Sequence, residues 1–324
     1  LFVLLPVLCC SCGNNNRIFD IDTQLCLKAH ESIELTGEKL PIEAFGGYGI
    51  KIFDTLLVVT TASPDHFRDI YGLKSCSLQA KILKKGRAKN EFLSVGYGGQ
   101  CIKENGCMNL YIHDLNKNVF WKYNLTESLK QNVDCGEIVY KLPGSYQGAY
   151  YLAPNIFCYR DVMSNKGCFY VIKNIKENKI IEEFSIIDFL KSGRVVDIPI
   201  SNYITKDNRV IVCYSRKIDQ LMFIDIKNRT KISVSTSDVQ PTWSRLESEY
   251  EDSLKLYYDY VATTEQEIYA LYKGNPDNWE IHCFSQTGDF LKRMILKEKI
   301  ISFDVSESFM YGLTINEEIY KYKI

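Results

Sequence analysis

The sequence predicts an all-β protein, a β-propeller of six blades. Short strands of alternating apolar and polar residues recur about every 50 residues, which is the period of a propeller blade. The chain holds 22 Tyr and 16 Phe but only 8 Pro, and aromatic residues favour half-buried strands. Helical periodicity is scarce, which argues against an α/β fold.

Composition excludes several other classes of protein. The chain has 324 residues, of which 46% are hydrophobic and 24% charged, the usage of an ordinary globular protein. This excludes a disordered tail, a collagen-like fibre and a multi-span membrane protein. Because 39 basic residues face 40 acidic ones, the net charge of −1 argues against a nucleic-acid partner. We expect a monomer.

The N-terminus indicates export. The first ten residues are apolar, too few to span a bilayer but enough for the core of a signal peptide. No Met or basic segment precedes them, so we expect further residues ahead of Leu1. The run ends in cysteines and small residues and resembles a bacterial lipoprotein signal, with Cys12 lipidated because Ser11 precedes it and Gly13 follows. A buried strand or a plain cleaved signal are the alternatives.

The resulting domain prediction is a signal peptide over 1–11, a tether over 12–17 and one propeller domain over 18–324. The mature protein would be lipid-anchored in the inner or outer membrane, with the propeller facing the periplasm of a Gram-negative envelope.

A pair of strands joined by a polar turn is the repeating unit. The pairs are predicted at 66–71 with 78–83, 110–115 with 119–125, 169–175 with 179–186, 221–226 with 230–235, 279–284 with 290–296, and a last single strand at 318–324. Further strands precede most pairs, at 55–60, 155–159, 209–213 and 267–272. The unequal intervals indicate one common unit with loops of varying length.

Two short stretches, 125–131 and 181–190, have a weak helical pattern. The last unit lacks its outer strand where the sequence stops, and an unpaired edge invites aggregation. An early segment, 18–21 or 33–42, is therefore predicted to pair beside the last strand and close the ring.

The sequence resembles the TolB-like six-bladed propeller lipoproteins of Bacteroidota. The resemblance rests on Phe45–Gly49, Phe53–Val59, Lys85–Phe92, Thr287–Phe290 and Ile319–Tyr322. It departs from the family where Gly-x-Gly-Pro is replaced by Gly86-Arg87-Ala88-Lys89. The resemblance implies the fold and carries no catalytic residue.

Cysteine and histidine give no metal motif. Nine cysteines follow Cys12, none in C-x-x-C spacing, and the several that lie inside apolar strand-like runs are interpreted as small hydrophobes. Cys158 and Cys168 lie at equal distances from Met163, so a disulfide between facing strands is an alternative. His66, His113 and His282 fall in the repeated strands, which favours a structural role, although a Ser/His/Asp triad assembled in space stays open.

Two glycine-rich stretches, Gly46–Gly49 and Gly96–Gly99, are interpreted as turns and bulges, because strand-like sequence follows each.

One acidic loop is the best candidate for a ligand-facing insertion. Glu247 and Glu249 lie in an acidic run with Trp243 before it and Tyr257 after it. Loops on a propeller face carry function more often than strands do.

The predicted function is a non-catalytic module that binds an envelope protein or a small molecule on one face of the ring, without a cofactor. The alternative is a metal-dependent hydrolase or lactonase, with calcium held at the channel mouth by carboxylates such as Asp161, Asp207 and Asp259. A structural role in an envelope complex is a third possibility.

Overall fold

Six β-sheets are arranged as blades of a ring in the computed structural model, which describes residues 18–27, 32–96, 99–142, 144, 146–161, 167–188, 199–237, 242–243, 256–275 and 278–324. The prediction of an all-β six-bladed propeller is confirmed.

The strands are numbered in chain order. Three strands precede the blades: β1 (Thr23–Cys26), β2 (Ser32–Leu35) and β3 (Glu38–Lys39). Blade 1 contains β4 (Gly47–Phe53), β5 (Leu56–Thr61), β6 (His66–Gly72) and β7 (Leu78–Lys84). Blade 2 contains β8 (Gln100–Glu104), β9 (Cys107–Asp114), β10 (Val119–Asn124), a helix α1 (Leu125–Gln131) and β11 (Gly136–Lys141). Blade 3 contains β12 (Tyr146–Ala153), β13 (Ile156–Asp161), β14 (Gly167–Asn174) and β15 (Lys179–Asp188).

The numbering continues through the second half of the ring. Blade 4 contains β16 (Ser201–Ile204), β17 (Val210–Ser215), β18 (Ile218–Asp225) and β19 (Thr230–Ser235). Blade 5 contains β20 (Tyr258–Thr263), β21 (Glu267–Tyr272), β22 (Trp279–Ser285) and β23 (Phe290–Leu296). Blade 6 contains β24 (Ile300–Val305), β25 (Phe309–Thr314) and β26 (Ile319–Lys323).

The four successive strands of each blade pair antiparallel, and the first of them lines the central channel. The first strands of neighbouring blades lie against each other, β20 beside β24 and β24 beside β4. We call the end of the channel where these strands begin the top face, and the other end the bottom face. Connections between blades and between second and third strands therefore lie at the top.

The hydrophobic core lies between the blades. Each pair of neighbouring sheets shares its own apolar clusters, for example Ile112 and Trp121 of blade 2 with Val58 and Ile70 of blade 1. A blade has two apolar faces and cannot bury them alone, so the ring must close for every face to be covered.

Turn chemistry agrees with the strand pairing. Asn105 and Gly106 join β8 to β9, and both have positive φ, +50° and +80°. That combination is typical of the type I′ turn, whose twist matches an antiparallel hairpin. The Gly46–Gly49 stretch forms a turn with Gly46 at φ +65° and a bulge between Gly47 and Gly49, as predicted.

The 125–131 stretch is helical. Asn124 caps α1 by accepting the Glu127 N–H at 3.0 Å, and Asn132 ends it in the left-handed conformation. The 181–190 stretch is not helical as far as it is described. Its residues to Asp188 belong to β15, which pairs with β14, so sheet pairing overrides the weak helical pattern.

One predicted repeat is out of phase. The pairs beginning near 66, 169, 221 and 279 are third and fourth strands, whereas the pair 110–115 with 119–125 forms the second and third strands of blade 2. The reason is α1, which separates β10 from β11 and hides their relationship in the sequence.

The prediction of ring closure by an early strand is confirmed. Glu38 and Lys39 of β3 pair antiparallel with Lys321 and Tyr320, and β3 supplies the fourth strand of blade 6. Before that, β1 and β2 add a parallel fifth strand to the outer edges of blades 4 and 5. The segments 18–27 and 32–39, which we together call the strap, thus lie along the outside of blades 4, 5 and 6.

The suggested pairing of Cys158 with Cys168 is wrong. In the β13–β14 ladder Cys158 lies opposite Ile172, while Cys168 lies opposite Ile187 of β15. The register is set by the pairing of Asp161 with Phe169, so the two cysteines are displaced along the strands.

Candidate functional site: the central channel and the top face

Lys51 is the most unusual residue of the channel. It lies in β4 between Ile50 and Ile52, where the alternating pattern turns it towards the axis, and its side chain is only 2% exposed. Its Nζ lies 4.0 Å from the centre of the Tyr203 ring and 5.2 Å from that of Tyr260. Contacts of this kind stabilise a cation that has lost water.

Asp304 is the acidic partner of Lys51. Asp304 Oδ1 lies 3.9 Å from Lys51 Nζ, and the acidic side chain is 1% exposed. Burial opposes the charge of Lys51, but Asp304 and the two tyrosines outweigh it and keep the pKa of the ammonium above its ordinary value. Burial, together with the Asp304 charge, also raises the pKa of Tyr203 to about 12, although Lys51 acts the other way.

Asp304 also joins the first and last blades. Its Oδ2 accepts the Ile52 N–H at 2.7 Å, and Ser302 Oγ accepts the Ile50 N–H at 3.0 Å. Side chains of β24 thereby satisfy backbone donors of β4 at the point where the ring closes. Buried donors of this kind are costly when unpaired.

Arg68 brings a second cation towards the channel. It starts on β6, is 0% exposed, and approaches Gly99 at the entrance to blade 2. A Cβ at Gly99 would lie 3.2 Å from Arg68 Nη2, and the φ of Gly99 is +140°, so glycine fits this position best. Burial lowers the pKa of Arg68 to about 10, which leaves it cationic at neutral pH.

The bottom of the channel is crossed by the turn between β16 and β17. Lys206 Nζ donates to the Val305 carbonyl of blade 6 at 3.1 Å. Gln100 Nε2 of blade 2 donates to Asn208 Oδ1 at 2.8 Å and to the Tyr151 carbonyl of blade 3 at 3.0 Å. One turn of blade 4 is therefore bonded to two blades that are not its neighbours, across the channel.

The predicted ligand-facing loop is described only in part. Trp243 is 1% exposed and packs with Ile18 and Phe19, and Tyr257 is 4% exposed, so both rings belong to the core. Glu247 and Glu249 lie outside the described residues, as does Cys12. A ligand-facing role for this loop stays a prediction.

The three candidate carboxylates are not brought together. Asp259 lies at the top, where Arg216 and Lys273 both bond it. Asp207 lies at the bottom, where it accepts from Thr205 at 2.5 Å and from Gln286 at 3.0 Å. Asp161 ends β13 at the top. Within the described ranges, no three His, Cys, Asp or Glu side chains are grouped as metal ligands.

The histidines of the repeated strands are buried, in agreement with a structural role. His282 contacts Tyr258 Oη at 3.1 Å and Glu280 Oε2 at 3.1 Å. Neither ring nitrogen of His113 has a hydrogen-bond partner within the described part of the chain.

His66 joins a hydroxyl to a carboxylate. Its Nδ1 lies 3.0 Å from Ser63 Oγ and its Nε2 lies 2.7 Å from Asp69 Oδ1. Ser63 Oγ also accepts the Asp65 N–H at 3.3 Å. The hydroxyl is thus engaged within the turn, and the group braces the β5–β6 hairpin.

An open cavity of about 400 Å³ lies at the bottom of blade 2. Its charged lining residues are Glu104, Lys122 and Glu137, and the first two pair at 2.6 Å. Glu104 also accepts from Asn109 at 3.3 Å and Tyr111 at 3.2 Å. Because the carboxylate is already satisfied, the pair serves the blade rather than a ligand.

The described residues include no helix with the length and apolar character needed to cross a bilayer.

Comparison with known proteins shows the fold. The family model described as TolB-like 6-blade propeller-like matches residues 44–308. A putative exported protein from Bacteroides fragilis NCTC 9343 aligns with a TM-score of 0.58 at 13% identity, over 93% of this chain and 98% of that one. A DUF4221 family member from Bacteroides vulgatus ATCC 8482 gives 0.58 at 10% identity, over 90% and 98%. No curated protein shows significant sequence similarity to the chain.

Proposed function

Since the chain belongs to the TolB-like six-bladed propeller family, we propose that it is a non-catalytic binding module of the cell envelope that holds its partner on the top face. The observation that carries this proposal is the state of the channel. Lys51, with its aromatic and acidic neighbours, occupies the channel at mid-strand, and Lys206 and Asn208 cross its lower end. A channel filled in this way supports a role as a rigid platform rather than as an enzyme cleft.

The top face is where the connections between blades begin and end. The chain leaves β19 at Ser235 and enters β20 at Tyr258 on this face, the longest connection in the ring. Propellers commonly place variable loops on one face for recognition. Similarity of fold alone does not fix a function, so the proposal needs a direct test.

The test is site-specific photo-crosslinking in the envelope of the host cell. A photo-reactive phenylalanine analogue replaces the exposed top-face residues Pro64 and Asn278 in separate variants, and control variants carry it at Glu177 on the bottom or Leu291 on the rim. We expect a discrete crosslinked product from the top positions alone. Absence of a product at the top, or equal products from all four positions, would contradict the proposal.

We further propose that Cys12 carries the lipid anchor. The apolar run and the small residues around Cys12 support this, and one similar protein is itself described as exported. Replacing Cys12→Ala should release the protein from the membrane fraction, since acyl-chain burial contributes about 0.8 kcal/mol per CH₂. The matched control Cys10→Ala should stay membrane-bound. Retention of the Cys12 variant in the membrane would refute the anchor.

A further inference from the structure

Four large apolar side chains are exposed on the top face of three consecutive blades. Phe45 is 71% exposed and Ile315 is 73% exposed, the two highest values among such residues in the described chain. Leu93 and Leu115 are 38% and 41% exposed. Phe45 leads into blade 1, Ile315 lies in the β25–β26 turn of blade 6, Leu93 lies between blades 1 and 2, and Leu115 lies in the β9–β10 turn. The other exposed large apolar residues lie on outer strands or beside α1.

The part of this surface between blades 1 and 2 is held by Asp114. Its buried carboxylate accepts the N–H groups of Leu93 at 2.8 Å, Ser94 at 3.2 Å and Lys117 at 3.1 Å. Ser94 Oγ accepts the Asn116 N–H at 3.0 Å in return. Leu93 and Leu115 are thus presented by a fixed pair of loops, and a surface ordered in advance loses less entropy on binding.

Phe45 and Ile315 are also supported by the core. The Phe45 carbonyl accepts Thr61 Oγ1 at 3.0 Å, and the turn that holds Ile315 is closed by the Thr314 N–H bonded to the Glu318 carbonyl at 2.9 Å. The residues beneath them, Ala44 and Leu313, share one hydrophobic cluster.

A basic loop runs beside these apolar residues. Residues 84–91 contain four basic residues and one acidic residue, a local charge of +3 in a chain whose net charge is −1. Lys84 is neutralised by Glu91 at 2.9 Å. Arg87 and Lys89 are exposed and form no ion pair with any residue that the structure describes.

We propose that this surface, formed by Phe45, Arg87, Lys89, Leu93, Leu115 and Ile315, docks a polypeptide segment that carries acidic side chains interleaved with large apolar ones. Its apolar residues would cover the four exposed side chains, and its carboxylates would pair with Arg87 and Lys89. The inference rests on the proposed use of the top face and names the chemistry of the partner.

The position of the strap favours a protein over a lipid surface. Ile18 and Phe19 pack between blades 3 and 4, and the six residue steps back to Cys12 reach at most about 20 Å. With the anchor at Cys12 that we propose above, the edge of the ring held near the membrane would be the junction of blades 3 and 4. The docking surface is centred on blade 1 and lies on the side of the six-bladed ring opposite blade 4.

The test uses the full mature chain and a fluorescent twelve-residue peptide in which Glu alternates with Leu and Phe, followed by fluorescence anisotropy. We expect saturable binding that weakens as NaCl is raised, and no binding of the counterpart peptide with Lys in place of Glu. The variants Arg87→Glu with Lys89→Glu, and Phe45→Ser with Leu93→Ser, should each weaken binding tenfold or more.

Matched controls lie off the surface. Lys81→Glu with Lys179→Glu reverses two exposed lysines, and Ile138→Ser with Ile180→Ser removes two half-exposed apolar side chains on outer strands. Both should bind as the unaltered protein does. The proposal would be overturned if the surface variants bound the acidic peptide as tightly as the unaltered protein does. It would also be overturned if the protein bound phosphatidylglycerol vesicles through these surface residues but did not bind the acidic peptide. If the top face crosslinks to a partner but the acidic peptide does not bind, the proposed binding role of the top face remains and only the proposed acidic and apolar partner segment is refuted.

Discussion

Asp304 is the residue on which the polar contacts of ring closure converge. It accepts a backbone N–H of β4 and neutralises Lys51, both within the buried channel. A buried ion pair adds little stability compared with apolar residues, but removal of one partner is costly because the other charge stays buried.

We expect Asp304→Asn to lower the free energy of unfolding by about 3 kcal/mol, because the buried Lys51 would lose its acidic partner. Adding Lys51→Met should restore part of that loss, since no charge then remains uncompensated. Urea unfolding at pH 7 measures both. If the single variant is as stable as the parent, or the double variant shows no recovery, Lys51 and Asp304 are not coupled.

His113 makes the stability of the propeller sensitive to acid. Burial lowers its pKa to about 4 from 6.5. Between these values the unfolded chain binds a proton that the folded chain does not, so the free energy of unfolding falls as the pH falls from about 6.5 to about 4. The group contributes no such change at higher pH, where it is neutral in both states.

We expect His113→Phe to be less sensitive to acid than the parent, because the ring can still pack near Phe120 but cannot titrate. The difference in free energy of unfolding between variant and parent should change by about 2 kcal/mol in favour of the variant between pH 7 and pH 4.5. Other titrating groups affect both proteins alike. Parallel stability curves over that range would show that His113 is not buried in its neutral form.

At the scale of elements, the strap is the part that distinguishes this propeller from a simple ring of repeats. Phe19 is 2% exposed and packs with the core of blades 3 and 4, whereas Ile33, on the same strap, is 49% exposed. Substituting each of these two residues therefore distinguishes the contribution of the buried Phe19 side chain from that of an exposed position on the same strap.

We expect Phe19→Ala to lower the free energy of unfolding by about 3 kcal/mol, the usual cost of removing a buried ring. Ile33→Ala should change it by less than about 0.5 kcal/mol, as is usual for exposed positions. Thermal or urea unfolding gives both values. Equal effects of the two substitutions would mean that Phe19 is not part of the core.

The outer hairpins could be predicted from the sequence because they are local. The β22–β23 pair, for instance, needs only two alternating stretches and a Gly-containing turn at Gly288. The hairpins of blade 2 were harder to predict, because α1 separates its third strand from its fourth. The parallel pairing of β1 with β19 joins Thr23 to Ile232, more than 200 residues apart, and four-residue strands carry no signal that names such a partner.

The channel site could not be predicted from the sequence because it too depends on residues far apart in the chain. Lys51 lies in a stretch of alternating residues, where a lysine normally indicates a solvent-exposed face. Its burial depends on Tyr203, Tyr260 and Asp304, which lie on three different blades and more than 150 residues away in the sequence. The acidic loop was predicted as the binding site instead, because composition reveals a loop more readily than it reveals which strands converge.

At the scale of the whole molecule, closure converts six marginal sheets into one rigid body. Each blade covers an apolar face of the next, so the free energy gained at any interface depends on all the others being formed. The strap binds the outer edges of blades 4 and 5 and completes blade 6, and it protects edges that would otherwise invite aggregation. A platform of this kind holds its top-face loops in fixed relation.

Truncation of the strap is the clearest test of ring closure, and the measurement is calorimetric melting of three chains. A chain that starts at Ile18 should melt as the longer chain does, because it keeps every described strand. A chain that starts at Leu40 loses β1, β2 and β3, and we expect its melting temperature to fall by more than about 10 °C, or the protein to aggregate. If the chain that starts at Leu40 melts cooperatively at the original temperature, the early segment does not close the ring.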